Sequence, residues 1–231
     1  LEVHLCEPLI WESQRESIEK MLRFLTGDYW RISFQSGGEK PPKPKTKRKY
    51  QADCVALLSG GLDSLVGAID LQTQGLSPLF VSKIVAGDKA FQSKIASSLG
   101  ADNRHLQWSY KSKFPLSREG STRGRSIIFF AYAAIAAASL ADRTKVKIPL
   151  YVPENGFISL NVPLTPGRMG TLSTKTTHPI YMKALQDIWD AVGLQVELQA
   201  PLDYNLKTKG EIVAECADID LLKTLAGEST S

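Results

Sequence analysis

The residues best suited to chemistry form one short string between an apolar run and a helix-like pattern. Its two adjacent glycines let the backbone approach a bulky anion and adopt dihedral angles that other residues resist. The helix that follows offers unpaired N–H groups and the positive end of its dipole, and two serines add hydroxyl donors. The string therefore predicts a phosphate-binding loop made of Ser59, Gly60, Gly61, Leu62, Asp63 and Ser64.

Asp63 is the unexpected member of this loop, because a carboxylate repels phosphates. A magnesium ion between the two groups removes that conflict, so we predict Asp63 as a ligand of Mg²⁺ that arrives with a nucleotide. Neither a GxxxxGK[ST] string nor a GxGxxG string occurs in the chain. The alternative is a purely structural tight turn with an N-cap serine. The complete six-residue string directly after an apolar strand makes this alternative less favoured.

The elements that must position the loop alternate between strands and helices. Apolar runs predict strands over 54–58, 78–85, 105–110, 147–153 and 195–201. Helical patterns cover 64–74, 88–100, 126–141, 180–193 and 208–227, the last beginning with a capping box of Thr208 and Glu211. This order predicts an α/β fold with a doubly wound, mainly parallel sheet. Ligands of such folds bind beyond the carboxyl ends of the strands, where the loop lies.

Three regions are predicted along the chain. Residues 1–36 form a small α+β region, whose helix places Ile18, Met21, Leu22 and Leu25 on one face after a Ser13–Glu16 capping box, before a strand over 29–34. Residues 37–51 are a basic, proline-rich linker, with a nucleic-acid-binding arm as the alternative. Residues 52–231 are the nucleotide-binding domain.

Composition sets limits on the class of protein. The net charge of +4 is mild, and the three cysteines are an odd number without a CxxC pair. The cysteine pattern therefore indicates neither a disulfide framework nor a zinc site in this sequence. We expect a cytoplasmic protein without membrane association, because no signal peptide is visible and the apolar helix 126–141 is too short to span a bilayer.

The string SGGLDS resembles the pyrophosphate loop of the N-type ATP pyrophosphatases. That superfamily includes GMP synthetase, asparagine synthetase, tRNA-modifying thiolases and 7-cyano-7-deazaguanine synthase (QueC). The blocks "RGRSIIFFAYAAIAA", "VPENGFISLNVPLTPGR", "LSTKTTHP" and "TKGEIV" resemble those of the QueC-like proteins in bacterial antiphage Qat operons, the QatC group. The resemblance covers most of residues 52–227. It implies an adenine nucleotide alpha hydrolase-like (PP-loop) fold and an enzyme that cleaves ATP to AMP and pyrophosphate while adenylating a carboxylate.

The resemblance also implies roles for individual residues. Arg125 and Ser126 are expected to face the ATP phosphates, and Lys209 to contact the pyrophosphate. Asp63, Arg125 and Lys209 form the expected catalytic set, and Ser126 is expected to bind the nucleotide. The alternatives are a solvated arginine at a helix start and an exposed lysine beside an N-cap threonine. His178, before Pro179, is favoured as a cap or packing residue over a catalytic one.

The polar loop after the fourth strand is expected to bind the acid to be adenylated. Asn155, Asn161 and Arg168 are predicted to read the edges of this ligand, and Phe157 to stack on its base. The resemblance implies a 7-deazapurine acid such as 7-carboxy-7-deazaguanine, transferred to ammonia or to an amine, with other proteins of the operon as partners. The loop departs from the QueC pattern, which leaves the acid undecided.

Two rival functions and one metal remain open at this point. A tRNA- or nucleotide-modifying enzyme of the same superfamily is one rival. The basic linker alone is weak evidence for the nucleic-acid-binding surface that such an enzyme needs. An ATP-binding structural subunit without turnover is the other. QueC-like proteins usually carry a C-terminal four-cysteine zinc knuckle, and no such cluster is present here. Either a longer tail holds the zinc ligands or this version binds no zinc.

Overall fold

The computed structural model describes residues 1–43, 48–84, 87–110, 124–160 and 175–227. Its described part is an α/β structure built on a five-stranded sheet in which every pairing is parallel, together with a separate two-stranded parallel sheet. The small sheet contains β1 (Glu2–Leu5) and β2 (Ser33–Ser36). The large one contains β3 (Cys54–Leu57), β4 (Pro78–Lys83), β5 (His105–Trp108), β6 (Ile148–Tyr151) and β7 (Val196–Gln199).

Helices surround the large sheet. They are α1 (Pro8–Glu12), α2 (Arg15–Thr26), α3 (Leu62–Thr73), α4 (Asp88–Ser98), α5 (Arg125–Thr144), α6 (Gly156–Leu160), α7 (Pro179–Ala191), α8 (Lys209–Ala214) and α9 (Ile219–Ala226). Short 3₁₀ segments cover Asp102–Arg104 and Pro201–Leu206. The predicted alternation of strands and helices over the large sheet is therefore confirmed.

The strand order of the large sheet is β5-β4-β3-β6-β7. The chain moves outward from β3 to β5 and then returns to the other side of β3 to form β6. Every residue of β3 is buried, as expected for a central strand covered on both faces. The carboxyl ends of β3 and β6 flank the point at which the strand order reverses, and such a point forms a ligand crevice in open α/β sheets. The Ser59–Ser64 loop begins there.

Each face of the sheet carries its own hydrophobic core. On one face α2, α5 and α7 contribute residues that include Leu25, Phe130, Ala137, Tyr181 and Ile188. On the other face α3, α4, α8 and α9 contribute residues that include Leu65, Ile69, Ile95, Ile212 and Leu222. The predicted apolar face of α2 is buried, and it joins the same core as the sheet.

Some element boundaries differ from the sequence-based predictions. The Ser13–Glu16 capping box is wrong: Gln14 is the N-cap of α2 and makes no side-chain cap, while the Ser13 hydroxyl donates to the Ile10 carbonyl at the end of α1. The strand predicted over 29–34 begins at Ser33 instead. It is set by pairing with β1, a strand that the sequence pattern did not single out.

Helix α5 is longer than the predicted helix 126–141, so its length does not exclude a membrane span. At 20 residues, α5 is the one described helix long and apolar enough to cross a bilayer, and 39% of its most apolar stretch is buried. The buried side packs on β3, β4 and β6. It is therefore this contact with the sheet, and not its length, that marks α5 as a core helix.

Helix α3 approaches the segment after β6 very closely at one glycine. A Cβ atom on Gly67 would lie 2.5 Å from the Cβ of Pro153, inside any real contact distance between such atoms. The absence of a side chain at Gly67 thus lets the first helix of the large sheet lie against the residues that follow β6. Those residues carry part of the site described below.

We predict that Gly67→Ala destabilises the protein by about 1–3 kcal/mol because the new methyl group overpacks against Pro153. This is opposite in sign to the usual helix-interior effect, in which alanine is favoured by about 0.5–1 kcal/mol. Urea unfolding measures the difference. Gly210→Ala in α8 is the control, since its Cβ would meet only Thr208 Oγ1, at 3.9 Å. Equal stability changes in the two variants would contradict the packing argument.

Candidate functional site

The Ser59–Ser64 loop is held by its own serines. Gly60 has φ +96°, which a residue with a side chain rarely adopts. The Ser64 hydroxyl donates to the Gly61 carbonyl (2.8 Å) and accepts from the Gly60 N–H (3.2 Å). The Ser59 hydroxyl accepts from the Gly61 N–H (3.2 Å) and donates to Ser64 Oγ (3.1 Å). Both hydroxyls, predicted as donors to an anion, also shape the loop internally.

Gln92 of α4 ties this loop to the neighbouring strand. Its side chain is fully buried (0% exposed), and Nε2 donates to the carbonyls of Ser59 (3.0 Å) and Lys83 (3.2 Å). Gln107 Nε2 donates in turn to Gln92 Oε1 (3.2 Å). The carboxyl ends of β3 and β4 are therefore fixed relative to each other. The sequence analysis missed Gln92, which lies 33 residues from the loop along the chain.

Asp63 lies in the first turn of α3 and is only 7% exposed. Its Oδ2 accepts hydrogen bonds from the Asn155 side chain (2.6 Å) and from the Asn155 backbone N–H (3.3 Å). Its Oδ1 is buried without a hydrogen bond and lies 3.4 Å from Lys209 Nζ. One carboxylate oxygen is thus anchored and the other is presented to a cation, so two of the three predicted catalytic residues are in contact.

Lys209 is positioned by the predicted capping box. The Thr208 hydroxyl accepts from the Glu211 N–H (3.3 Å), and Glu211 Oε2 accepts from the Thr208 N–H (2.7 Å). The alternative, an N-cap threonine with an exposed lysine, is correct about the cap. The Lys209 side chain is half exposed (53%), but it also contacts Asp63.

Three hydrogen bonds hold the residues on either side of α8 against α3 and the residues after β6. The Gly156 N–H donates to the Lys207 carbonyl (2.8 Å), and a Cβ on Gly156 would lie 2.4 Å from the Asn205 carbonyl oxygen. Nearby, Asp70 of α3 accepts from the Tyr204 hydroxyl and from the Ala217 N–H (2.8 Å). The segment that carries Lys209 is therefore bound to both α3 and the residues after β6.

Glu154 is a site residue that the sequence analysis missed. It lies between β6 and Asn155, and its pKa is raised from 4.5 to about 8. Burial is the main cause, a hydrogen bond and charge repulsion from Asp63 add to it, and Lys209 opposes it. Its position directly after the fourth strand of the large sheet was the available signal, because the strand order reverses beside that strand.

Arg125 and Ser126 reach the same region from the first turn of α5. The Ser126 hydroxyl is buried and has no hydrogen-bond partner. A cavity of about 280 Å³ lies between α5 and the loop, with apolar walls from Phe129, Phe130 and Val152. Its polar lining brings together Ser59, Ser64, Arg125, Ser126, Glu154, Thr176 and Thr177.

Lys83, at the end of β4, is a further cation near the site, and no sequence pattern singled it out. Its Nζ lies 5.7 Å from the centre of the Phe129 ring and 5.8 Å from that of Tyr110. Burial and the charge of Arg125 lower the Lys83 pKa from its ordinary value. Lys83 therefore stands at the α5 side of the cavity.

Two of the four residues predicted to bind the acid, Asn155 and Phe157, lie among the described residues. Asn155 is 1% exposed and its amide is used inside the protein, since Oδ1 also accepts from the Ile158 N–H (3.1 Å). Asn155 thus lies on the interior side of Asp63, where it orients that carboxylate. Phe157 is 41% exposed and free of that network. Asn161 and Arg168 lie outside the described residues.

His178 has the role that the sequence favoured. It is the N-cap of α7, where Nδ1 accepts from the Ile180 N–H (3.2 Å), and its ring packs on Phe24 with 5.0 Å between centres. Burial and the nearby Lys175 lower its pKa. His178 is a capping and packing residue.

The donor atoms at Asp63 fit a magnesium ion. Asp63 Oδ1 is a buried carboxylate oxygen without a hydrogen bond, and Glu154 supplies a second carboxyl group beside it. Mg²⁺ is commonly held by one or two carboxylates together with substrate phosphates and water. Within the described ranges no group of three or more His, Cys, Asp or Glu side chains is placed to hold a metal by itself.

Comparison with known proteins gives no family for the chain: no protein-family model matches it. No curated protein matches it either.

We predict that Glu154→Gln changes how stability depends on pH. Between pH 4.5 and 8 the unfolded chain loses the Glu154 proton while the folded chain keeps it, so this group makes stability fall as pH rises through that window. The glutamine variant does not have this loss. Its stability relative to the wild type should increase by about 1–3 kcal/mol between pH 5 and pH 8.

Urea unfolding at the two pH values, with EDTA present, measures this difference. Glu197→Gln, which removes an exposed carboxyl group from β7, is the matched control and should follow the wild type. A stability difference between Glu154→Gln and wild type that is the same at both pH values would show that the carboxyl group ionises normally.

Proposed function

We propose that this chain is an ATP-dependent adenylating enzyme with an adenine nucleotide alpha hydrolase-like (PP-loop) fold. The observation that carries the proposal is the placement of the SGGLDS loop at the reversal point of an all-parallel sheet, with Asp63 against Lys209. A cavity lined by Arg125 and Ser126 opens beside the same loop. These are the residues that a phosphate-binding loop, a magnesium ligand and two phosphate-binding cations require.

The loop and the start of α3 would hold the leaving pyrophosphate. The first N–H groups of a helix have no carbonyl partners within it, and the dipole favours an anion there. Gly60 and Gly61 allow the backbone to come close to the phosphate oxygens. Arg125 from the α5 side and Lys209 from the α8 side would neutralise the charge that develops during transfer.

The adenylation step is a displacement at the α-phosphorus. A carboxylate oxygen of the acid forms a bond to that phosphorus, the bond to the bridging oxygen breaks, and pyrophosphate leaves with the electron pair. Positioning and charge neutralisation supply the catalysis. Asp63, oriented by Asn155, would hold a magnesium ion that neutralises the phosphate oxygens, with Glu154 as the neighbouring carboxyl group.

The second step would transfer the acyl group to nitrogen. Ammonia or an amine attacks the acyl carbon of the adenylate, and AMP leaves. We infer a 7-deazapurine acid, of the 7-carboxy-7-deazaguanine type, because the chain resembles the QueC-like proteins of antiphage Qat systems. Phe157, two residues after Asn155, is exposed, and it would stack on such a base. Proteins of the same operon are the proposed partners, in the cytoplasm.

We predict that full-length protein incubated with ATP, Mg²⁺ and 7-carboxy-7-deazaguanine releases AMP and pyrophosphate only when the acid is present. Chromatography of the nucleotide products measures this. Asp63→Asn should lower the rate at least about a hundredfold, because the metal ligand is lost. Arg125→Ala should weaken the reaction similarly. Arg143→Ala, at the other end of α5, is the matched control and should react normally.

Each other outcome points to a different function. ADP and phosphate as products would exclude a pyrophosphatase mechanism. Turnover that requires RNA and is lost on adding ribonuclease would favour a tRNA-modifying enzyme. ATP binding without product, even with the partner proteins present, would favour a structural ATP-binding subunit.

A further inference from the structure

One cation, Arg125, lines the cavity, and a second, Lys83, lies close to the cavity wall formed by Phe129. Lys83 ends β4 and Arg125 begins α5. Val81 pairs with Leu57 in the parallel register, so Lys83 and Ser59 each lie two residues further along neighbouring strands. The lysine therefore stands beside the first residue of the phosphate-binding loop, although the two are far apart in sequence.

Aromatic rings hold the ammonium group of Lys83 at this position. Its Nζ lies 5.7 Å from the Phe129 ring centre and 5.8 Å from the Tyr110 ring centre. Cations are attracted to aromatic faces at such distances. Phe129 follows Arg125 by one helical turn, and both line the cavity. The ring thus places Lys83 next to the cavity wall that carries Arg125.

No residue that the structure describes neutralises either cation. Throughout the described ranges no carboxylate forms an ion pair with Lys83 or Arg125. Of the two acids nearby, Asp63 is hydrogen-bonded to Asn155, and Glu154 lies beside Asp63 and has a raised pKa. Partial burial is the main cause that lowers the pKa of Lys83 from its ordinary value, and the charge of Arg125 adds to it. Two like charges held together without a counter-ion cost stability, and such a cost is typical of ligand sites.

We propose that Lys83 and Arg125 together bind one phosphate group of the nucleotide at this cavity. A guanidinium group donates two parallel hydrogen bonds to phosphate oxygens, and an ammonium group supplies a point charge beside them. The anion would provide a counter-charge that the described residues do not supply. The identity of the nucleotide as ATP rests on the proposed function; the anion site does not.

The test is thermal unfolding of the protein with AMP or with inorganic pyrophosphate, titrated separately without Mg²⁺. Lys83→Met should raise the melting temperature of the ligand-free protein, because it removes the repulsion from Arg125. It should also weaken binding of one of the two ligands about tenfold to a hundredfold, as expected for a lost charged hydrogen bond. A weakened AMP response places the pair on the α-phosphate, and a weakened pyrophosphate response places it on the leaving group.

Three further variants sharpen the result. Lys83→Arg should retain binding, because it keeps the charge. Lys89→Met removes an exposed cation from α4 and should change neither property. Lys83→Gln repeats the test if the methionine variant does not fold.

Unchanged affinity for both ligands in Lys83→Met, or an equal loss in Lys89→Met, would overturn the proposal, as would a wild-type protein that neither ligand stabilises. Product analysis with ATP is independent of this readout. Loss of anion binding in Lys83→Met from a protein that forms no AMP would support the anion site while rejecting the adenylating function.

Discussion

The candidate site depends on the pair of hydrogen bonds from Asn155 to Asp63. They join the first turn of α3 to the segment after β6, which lie on opposite sides of the reversal point in the sheet. Because one carboxylate oxygen is fixed in this way, the other faces Lys209. The close approach of Gly67 to Pro153 brings the two segments together, so helix packing and carboxylate orientation are one constraint.

Charge in this site is arranged at a cost to the folded protein. Burial and Asp63 raise the pKa of Glu154, and on the other side of the cavity burial and Arg125 lower the pKa of Lys83. An arrangement of this kind is unfavourable in isolation and becomes favourable when an anion and a cation enter together. A nucleotide phosphate with its metal ion is a ligand of that composition.

Much of this arrangement could be predicted from sequence, for identifiable reasons. The apolar runs are local signals, and so is the Thr208 capping box; both are confirmed. The Asp63–Lys209 contact could be expected only because the topology brings loop and helix starts to one edge. Gln92 and Lys83 were missed, since their importance arises from contacts with β3 and α5 that no spacing rule encodes. Asn155 was assigned to a ligand, whereas burial turns its amide toward Asp63.

The hydrogen bond between the Gly156 N–H and the Lys207 carbonyl limits how the site can be transferred to another protein. The segment that carries Glu154 and the segment that carries Lys209 are about fifty residues apart, yet they share a backbone contact that leaves no room for a side chain. A scaffold that receives only the glycine-rich loop would acquire an anion cradle without its counter-charges. The smallest portable unit is therefore the loop together with the separate pieces of chain that carry Glu154, Lys209 and Arg125.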